Sequence, residues 1–215
     1  MKRALIFDLD NTLFPVESIG DQLFEPIFNL IHASGKHEHQ FEDIRRDIMR
    51  KPFQWVAQRY HFDEALMQQG IELLKQIRCK GPITPVEDYD EIRKLPADRF
   101  LVTTGFLKMQ QSKIASLGIN KDFQEIIVID PTITPKTKRE IFEEIIATHH
   151  LSKEDVLVIG DDPESEIQAA NEIGVESVLY DPNNHHTNTN STYRISSYKN
   201  FPACSAPHFS AGQMA

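Results

Sequence analysis

Short apolar runs, several of them continuously apolar, recur along the chain: "ALIF" (4–7), "FLVTT" (100–104), "IIVI" (126–129), "VLVIG" (156–160) and "VESVLY" (175–180). Runs of this kind suit strands buried on both faces of a parallel sheet. Between them lie stretches with helical spacing. "GFLKMQQSKIASLGI" reads as a helix closed by Gly118. "KTKREIFEEIIATHH" sets Ile141, Phe142, Ile145 and Ile146 on one stripe with charges opposite. "DPESEIQAANEIG" offers Asp162 as N-cap, Pro163 at the first helical position and Gly174 as the stop. Strand alternating with helix predicts an α/β, Rossmann-like, doubly wound parallel sheet.

Residues 15–85 break this rhythm. Leu23, Ile27, Leu30 and Ile31 repeat at helical spacing, as do Phe41, Ile44 and Ile48. "PFQWVAQRY" is a third helical piece, and Asp63 is placed to cap a fourth running through Leu66, Leu73, Leu74 and Ile77. An all-helical domain over 15–85 is therefore expected to interrupt a core formed by 1–14 and 86–203. An insertion beyond a strand end lies over the ligand crevice of such a sheet. "YRISSYKNF" (193–201) is expected to add an edge strand or return segment, and 204–215 reads as a disordered tail.

Composition narrows the partners. The formal net charge of −9 disfavours a nucleic acid polymer or an anionic membrane. Cys79 and Cys204 are the two cysteines, far apart, which argues against a disulfide scaffold or a structural zinc site and for a reducing cytoplasm. The apolar start breaks at Asp8, too early for a signal peptide, and no run approaches the ~20 residues of a membrane span.

The chemistry gathers at strand ends. Asp8 and Asp10 follow the first strand, and Thr103, Thr104 and Gly105 end the second. Lys136 and Lys138 lie between "IIVIDP" and the next helix, while Asp161, Asp162 and Glu166 follow "VLVIG". In a parallel sheet these ends share one edge, so the pieces converge. Together they fit phosphoryl transfer. A carboxylate forms an aspartyl-phosphate, a second acid two residues on handles the protons, and a hydroxyl and a lysine hold the equatorial oxygens. The remaining carboxylates suit Mg²⁺, a hard ion that keeps waters.

"FDLDNTLF", "LVTTG", "PKTKREIF" and "VIGDDPESEI" resemble, in order, the four signature motifs of the haloacid dehalogenase superfamily. The resemblance covers residues 1–14 and 86–182, and the helical insert resembles that family's C1-type cap. It implies Asp8 as nucleophile, Asp10 as general acid/base, Thr103 on the phosphoryl group, and Leu9, Thr104 and Gly105 at the substrate. It further implies Mg²⁺ on the Asp8 side chain, the Asp10 carbonyl and Asp161, with Glu166 acting through water. Lys136 is preferred to Lys138 as the motif lysine from its distance to the "IF" pair. Asp10 points to phosphate esters, since dehalogenases and phosphonate-cleaving relatives lack that acid. The expectation is a phosphatase acting on a small phosphorylated metabolite, such as a nucleotide or sugar phosphate. A phosphomutase and a non-enzymatic binder of phosphorylated ligands are the alternatives.

The remaining signals read as structural. His37 and His39, His149 and His150, and His185 and His186 come in pairs without the further ligands of a zinc site, and read as solvated surface. Phe53, Trp55 and Tyr60 read as packing before pocket lining, and Asp162 as a helix cap before a metal ligand.

Overall fold

A computed structural model describes residues 2–187 and 189–201; the tail expected over 204–215 lies outside the described residues. The strands are β1 (Ala4–Phe7), β2 (Asp98–Thr104), β3 (Glu125–Ile129), β4 (Val156–Gly160), β5 (Glu176–Tyr180) and β6 (Tyr193–Ile195). All pair in parallel, in the order β3-β2-β1-β4-β5-β6. The order reverses beside β1, so the crevice beyond its C-terminal end is the topological switch point.

Alternate residues of β1 serve two cores, because side chains leave a strand on opposite faces. Ala4 and Ile6 pack with Ile141, Phe142 and Ile145 of α7 (Lys138–Thr148) and with Ala170 and Ile173 of α8 (Gln168–Ile173). Leu5 and Phe7 pack with Tyr89 and Ile92 of α5 (Tyr89–Arg93) and with Met109, Ile114 and Leu117 of α6 (Leu107–Leu117). Gly118 closes α6 and Gly174 closes α8, both at positive φ. Pro163–Ile167 forms one wider π turn, capped by the Asp162 carboxylate on the Glu164 N–H, before α8 begins.

From Gly20 to Leu74 the chain is helical: α1 (Gly20–Ala33), α2 (Phe41–Ile48), α3 (Phe53–Arg59) and α4 (Glu64–Leu74). Leu23, Ile27, Ile44, Ile48, Val56 and Leu74 fill its interior, which is continuous with the core around Phe7. The Asp63 carboxylate caps α4 through the Leu66 N–H at 2.8 Å, as its sequence predicts. The helix stops at Leu74 and does not reach Ile77. The Arg78 guanidinium folds back onto the carbonyls of Gln76 (3.0 Å) and Ile77 (3.2 Å), occupying acceptors that a further turn would use. Among the described residues no helix is long and apolar enough to cross a membrane.

The last segment braces the first loop. The Tyr198 hydroxyl donates to the Thr12 carbonyl at 3.1 Å, and its ring stacks on Tyr180 at 4.7 Å. The Asp88 carboxylate holds this segment through the Ser197 hydroxyl and the Tyr198 N–H, both at 2.6 Å.

Candidate active site

The ladder of β1 runs one residue further, with the Asp8 N–H donating to the Ile159 carbonyl at 2.9 Å. The chain then turns sharply, as the N–H groups of Leu13 and Phe14 return to the Leu9 carbonyl at 2.9 and 3.2 Å and Asn11 takes a positive φ. Asp8 and Asp10 are thereby held at the switch point. They line a cleft of about 390 Å³ together with Thr103, Thr104, Gly105, Lys113, Lys138, Asp161 and Glu166. Residues Met49 to Trp55, from the end of α2 into α3, form its opposite wall.

The lysine that the structure places in the cleft beside Asp8 is Lys138. Its Nζ donates to Asp8 Oδ1 at 2.6 Å and pairs with the Glu166 carboxylate, all three side chains being buried. Lys136, the residue preferred from its spacing, is exposed and pairs with Glu144 at 2.6 Å. The cause is the start of α7. Thr137 is its N-cap and forms a capping box with Glu140, so Lys138 enters the first turn facing β1 while Lys136 stays outside the helix.

Glu166, expected to act on the metal through water, lines the same cleft and is engaged within the protein. Lys138 and the Ser165 hydroxyl engage Oε1, and the Asp162 N–H donates to Oε2 at 3.2 Å. Its carboxylate thus anchors the lysine. A Cβ on Gly160 would stand 2.5 Å from Glu166 Cγ, so glycine there gives the glutamate its room.

Asp10 faces two residues that the sequence reading passed over. Lys113 Nζ contacts Asp10 Oδ1 at 2.9 Å and Oδ2 at 2.8 Å. Gln110 Nε2 donates to Asp10 Oδ2 at 3.0 Å and to Thr103 Oγ1 at 2.6 Å. Leu9, Thr104 and Gly105 lie beside these groups in the chain. The Gly105 N–H, however, is committed to the Ile129 carbonyl at 3.0 Å, which leaves no donor there for a substrate.

Charge is crowded at this edge. Burial raises the Asp8 carboxyl, the Lys138 ammonium pulls it back, and the neighbouring Asp10 adds to the rise. Burial pushes Asp161 up to about 7, Asp8 raises it further, and Arg50 opposes. Arg50 Nη2 stands 3.7 Å from Asp161 Oδ2, and no hydrogen bond reaches that carboxylate among the described residues. A partly buried carboxylate without a hydrogen bond, facing a second carboxylate, suits a hard divalent cation. No group of three or more acidic, histidine or cysteine side chains is arranged to hold a metal ion among the described residues. Asp8 and Asp161, close enough for the one to raise the other, fit an ion that retains several waters.

The opposite wall reaches across the cleft. Lys51 Nζ meets Asp162 Oδ2 at 2.8 Å and Glu164 Oε2 at 3.2 Å. Phe53 and Trp55 line the cleft, whereas the Tyr60 hydroxyl donates to Asp47 at 2.7 Å away from it. Among the histidines expected at the surface, His37 is buried against the Phe62 ring at 4.7 Å.

The sequence model of the haloacid dehalogenase-like hydrolases matches residues 2–174. The chain is 29% identical over 156 residues to the pyrimidine 5'-nucleotidase PynA of Streptococcus pneumoniae, covering 70% of this chain and 60% of that protein. It is 22% identical over 198 residues to the glyceraldehyde 3-phosphate phosphatase of Methanopyrus kandleri, covering 83% of each. In three dimensions it is similar to the HAD-hydrolase YfnB from Bacillus subtilis bound to magnesium, with a TM-score of 0.64, 18% identity and coverage of 94% and 98% of the two chains.

Proposed function

This chain belongs to the haloacid dehalogenase-like hydrolases, and we propose that it is a Mg²⁺-dependent phosphatase that hydrolyses a small soluble phosphate monoester through an aspartyl-phosphate. The observation that carries this reading is the convergence of Asp8, Asp10, Thr103, Lys138 and Asp161 on one cleft at the switch point. The relatives that act on a nucleotide and on a triose phosphate support the substrate class.

Asp8 attacks phosphorus, and the ester P–O bond breaks as Asp10 gives its proton to the departing alkoxide. Water then attacks the aspartyl-phosphate and passes a proton to Asp10. The P–O bond to Asp8 breaks, releasing inorganic phosphate and restoring the carboxylate. One ester and one water become one alcohol and one phosphate. Thr103 Oγ1 accepts from Gln110, so its own proton is free for a phosphoryl oxygen. Lys138, held by Glu166, balances the charge on Asp8. The Asp8 and Asp161 side chains and the Asp10 carbonyl would hold Mg²⁺, which offsets repulsion between an anionic nucleophile and an anionic ester. The helical residues 15–85 act as a cap, and the 390 Å³ cleft beneath them limits the substrate to a compact ester.

Phosphate release from nucleotides, sugar phosphates and small phosphorylated acids, with Mg²⁺ and with chelator, tests the reading. Metal-dependent release favouring one group is expected, with loss of turnover in Asp8→Asn and an unchanged fold by circular dichroism. Release sustained by Asp8→Asn, in protein shown by mass spectrometry to be free of deamidation, overturns it.

A further inference from the structure

We propose that Gln110 and Lys113, one turn apart on α6, are positioning residues for the reaction, fixing the Asp10 carboxyl against the leaving group and aiming the Thr103 hydroxyl at the phosphoryl group. This rests on the reading of Asp10 as the acid and base of the reaction. Both side chains are almost fully buried, at 0% and 1% exposure. They lie on the core-facing stripe that also carries Met109, Ile114 and Leu117.

A lysine in such a place is unusual. Lysines are rarely fully buried unless paired, and a buried ion pair generally stabilises a fold less than apolar residues of similar volume. Lys113 has one ion-pair partner among the described residues, Asp10, and it spans both carboxylate oxygens. The pair is therefore poorly explained by packing, and it fixes the rotation of the one side chain that must reach a leaving oxygen.

Gln110 completes the arrangement. Its amide places Nε2 between Asp10 Oδ2 and Thr103 Oγ1, an orientation imposed by the carboxylate, since the flipped amide would set two oxygens against each other. The consequence is that Gln110 Oε1 is buried without a partner among the described residues. Gly105, at φ +155°, leaves space for this side chain, since a Cβ there would stand 3.1 Å from Gln110 Cγ and Cδ. One amide thus ties the acid/base group of the β1 loop to the phosphate-binding hydroxyl of β2. Misplacing a reacting group by about 1 Å costs on the order of 10²-fold in rate.

The test compares two leaving groups in Lys113→Met, a change that preserves much of the side-chain length. p-Nitrophenolate departs without a proton, whereas an alkoxide needs one from Asp10. The alkyl ester used is the one that wild-type protein hydrolyses best. For that ester kcat/KM is expected to fall about 100-fold, and for p-nitrophenyl phosphate by less than about 3-fold, in line with the worth of one general acid. Acid quench during turnover of p-nitrophenyl phosphate should trap more phosphorylated Asp8 in the variant, because activation of water also depends on Asp10. Lys113→Arg should recover at least about a tenth of the alkyl-ester rate, the guanidinium keeping the ion pair. Thermal melting checks that each variant folds. If Lys113→Met does not fold, Gln110→Met replaces it and should show the same selective loss together with a raised KM for both esters. Losses within about 5-fold of each other on the two esters overturn the inference, as do wild-type rates on both, given that one acid/base group supplies 10²–10⁴-fold. If wild-type protein hydrolyses neither ester, the phosphatase reading itself fails.

Discussion

Two aspartates follow adjacent strands of the sheet, the partly buried Asp161 after β4 and the buried Asp181 after β5, and their surroundings treat them in opposite ways. Asp181 is saturated with donors. It accepts the N–H groups of His185 and His186 at 2.9 and 3.0 Å and pairs with Arg194 Nη2 at 2.6 Å. Burial alone would raise its carboxyl, but those N–H groups and the guanidinium carry it below its ordinary value. Asp161 receives no hydrogen bond among the described residues, and burial and Asp8 leave it near 7. A carboxylate that serves the fold is satisfied by the fold. One that the fold leaves without donors, as at Asp161, is costly to keep charged.

The sharpest way to break the comparison is at Lys138, the ion-pair partner of Asp8 among the described residues. Lys138→Met should lower kcat by about 10²–10³-fold, the typical worth of a donor aimed at developing charge. Lys136→Ala should stay within about 2-fold, as is usual for an exposed surface pair. Steady-state kinetics of both variants on one ester decides between the two lysines, and the reverse ranking would return the role to Lys136.

Asp161→Asn tests the unsatisfied side. Because the native carboxyl near 7 lies above its unfolded value of 3.8, the native state binds the extra proton between these limits. Stability of the metal-free protein should therefore fall as pH rises through that window, by up to about 4 kcal/mol from this group. At pH 8 in chelator, Asp161→Asn should melt above wild type. Mg²⁺ should raise the wild-type melting temperature but not that of the variant. A variant that melts lower in chelator would show that Asp161 is satisfied after all.

Asp181→Asn should have the smallest reach. It is expected to cost about 1–3 kcal/mol in denaturant titrations at pH 7 and to leave kcat unchanged. The sign is the ordinary one for a lowered carboxyl. Its contribution is complete above 3.8 and is lost as pH falls through the lower native value, so wild type and variant should converge in strong acid.

Much of this was legible in the chain. The apolar runs gave the strands, and Asp63, Asp162, Gly118 and Gly174 marked helix ends that the structure reproduces. The structure sets Lys138, not Lys136, beside Asp8, because counting back from an apolar pair ignores where a helix begins. The T-x-x-E box at Thr137 and Glu140 held that information. Gln110 and Lys113 were missed because α6 looked like an ordinary amphipathic helix. Their signal was a polar pair standing at core-facing positions of the 3.6-residue repeat, a conflict between pattern and residue type that marks a working site.

The bond from Tyr198 to the carbonyl of Thr12 spans 186 positions, and β1 pairs only with strands beginning at Asp98 and Val156. The contacts that brace the loop after β1 are thus among the most distant in sequence that the described residues make, and such contacts close slowly. At roughly 5–20 residues per second, translation reaches β2 some 5–20 s after β1 and reaches Tyr198 later still. A nascent chain therefore carries its two aspartates for seconds as an open, solvated segment. Phosphatase activity should appear late, in step with the arrival of the closing aromatic segment and not with the sheet core that precedes it.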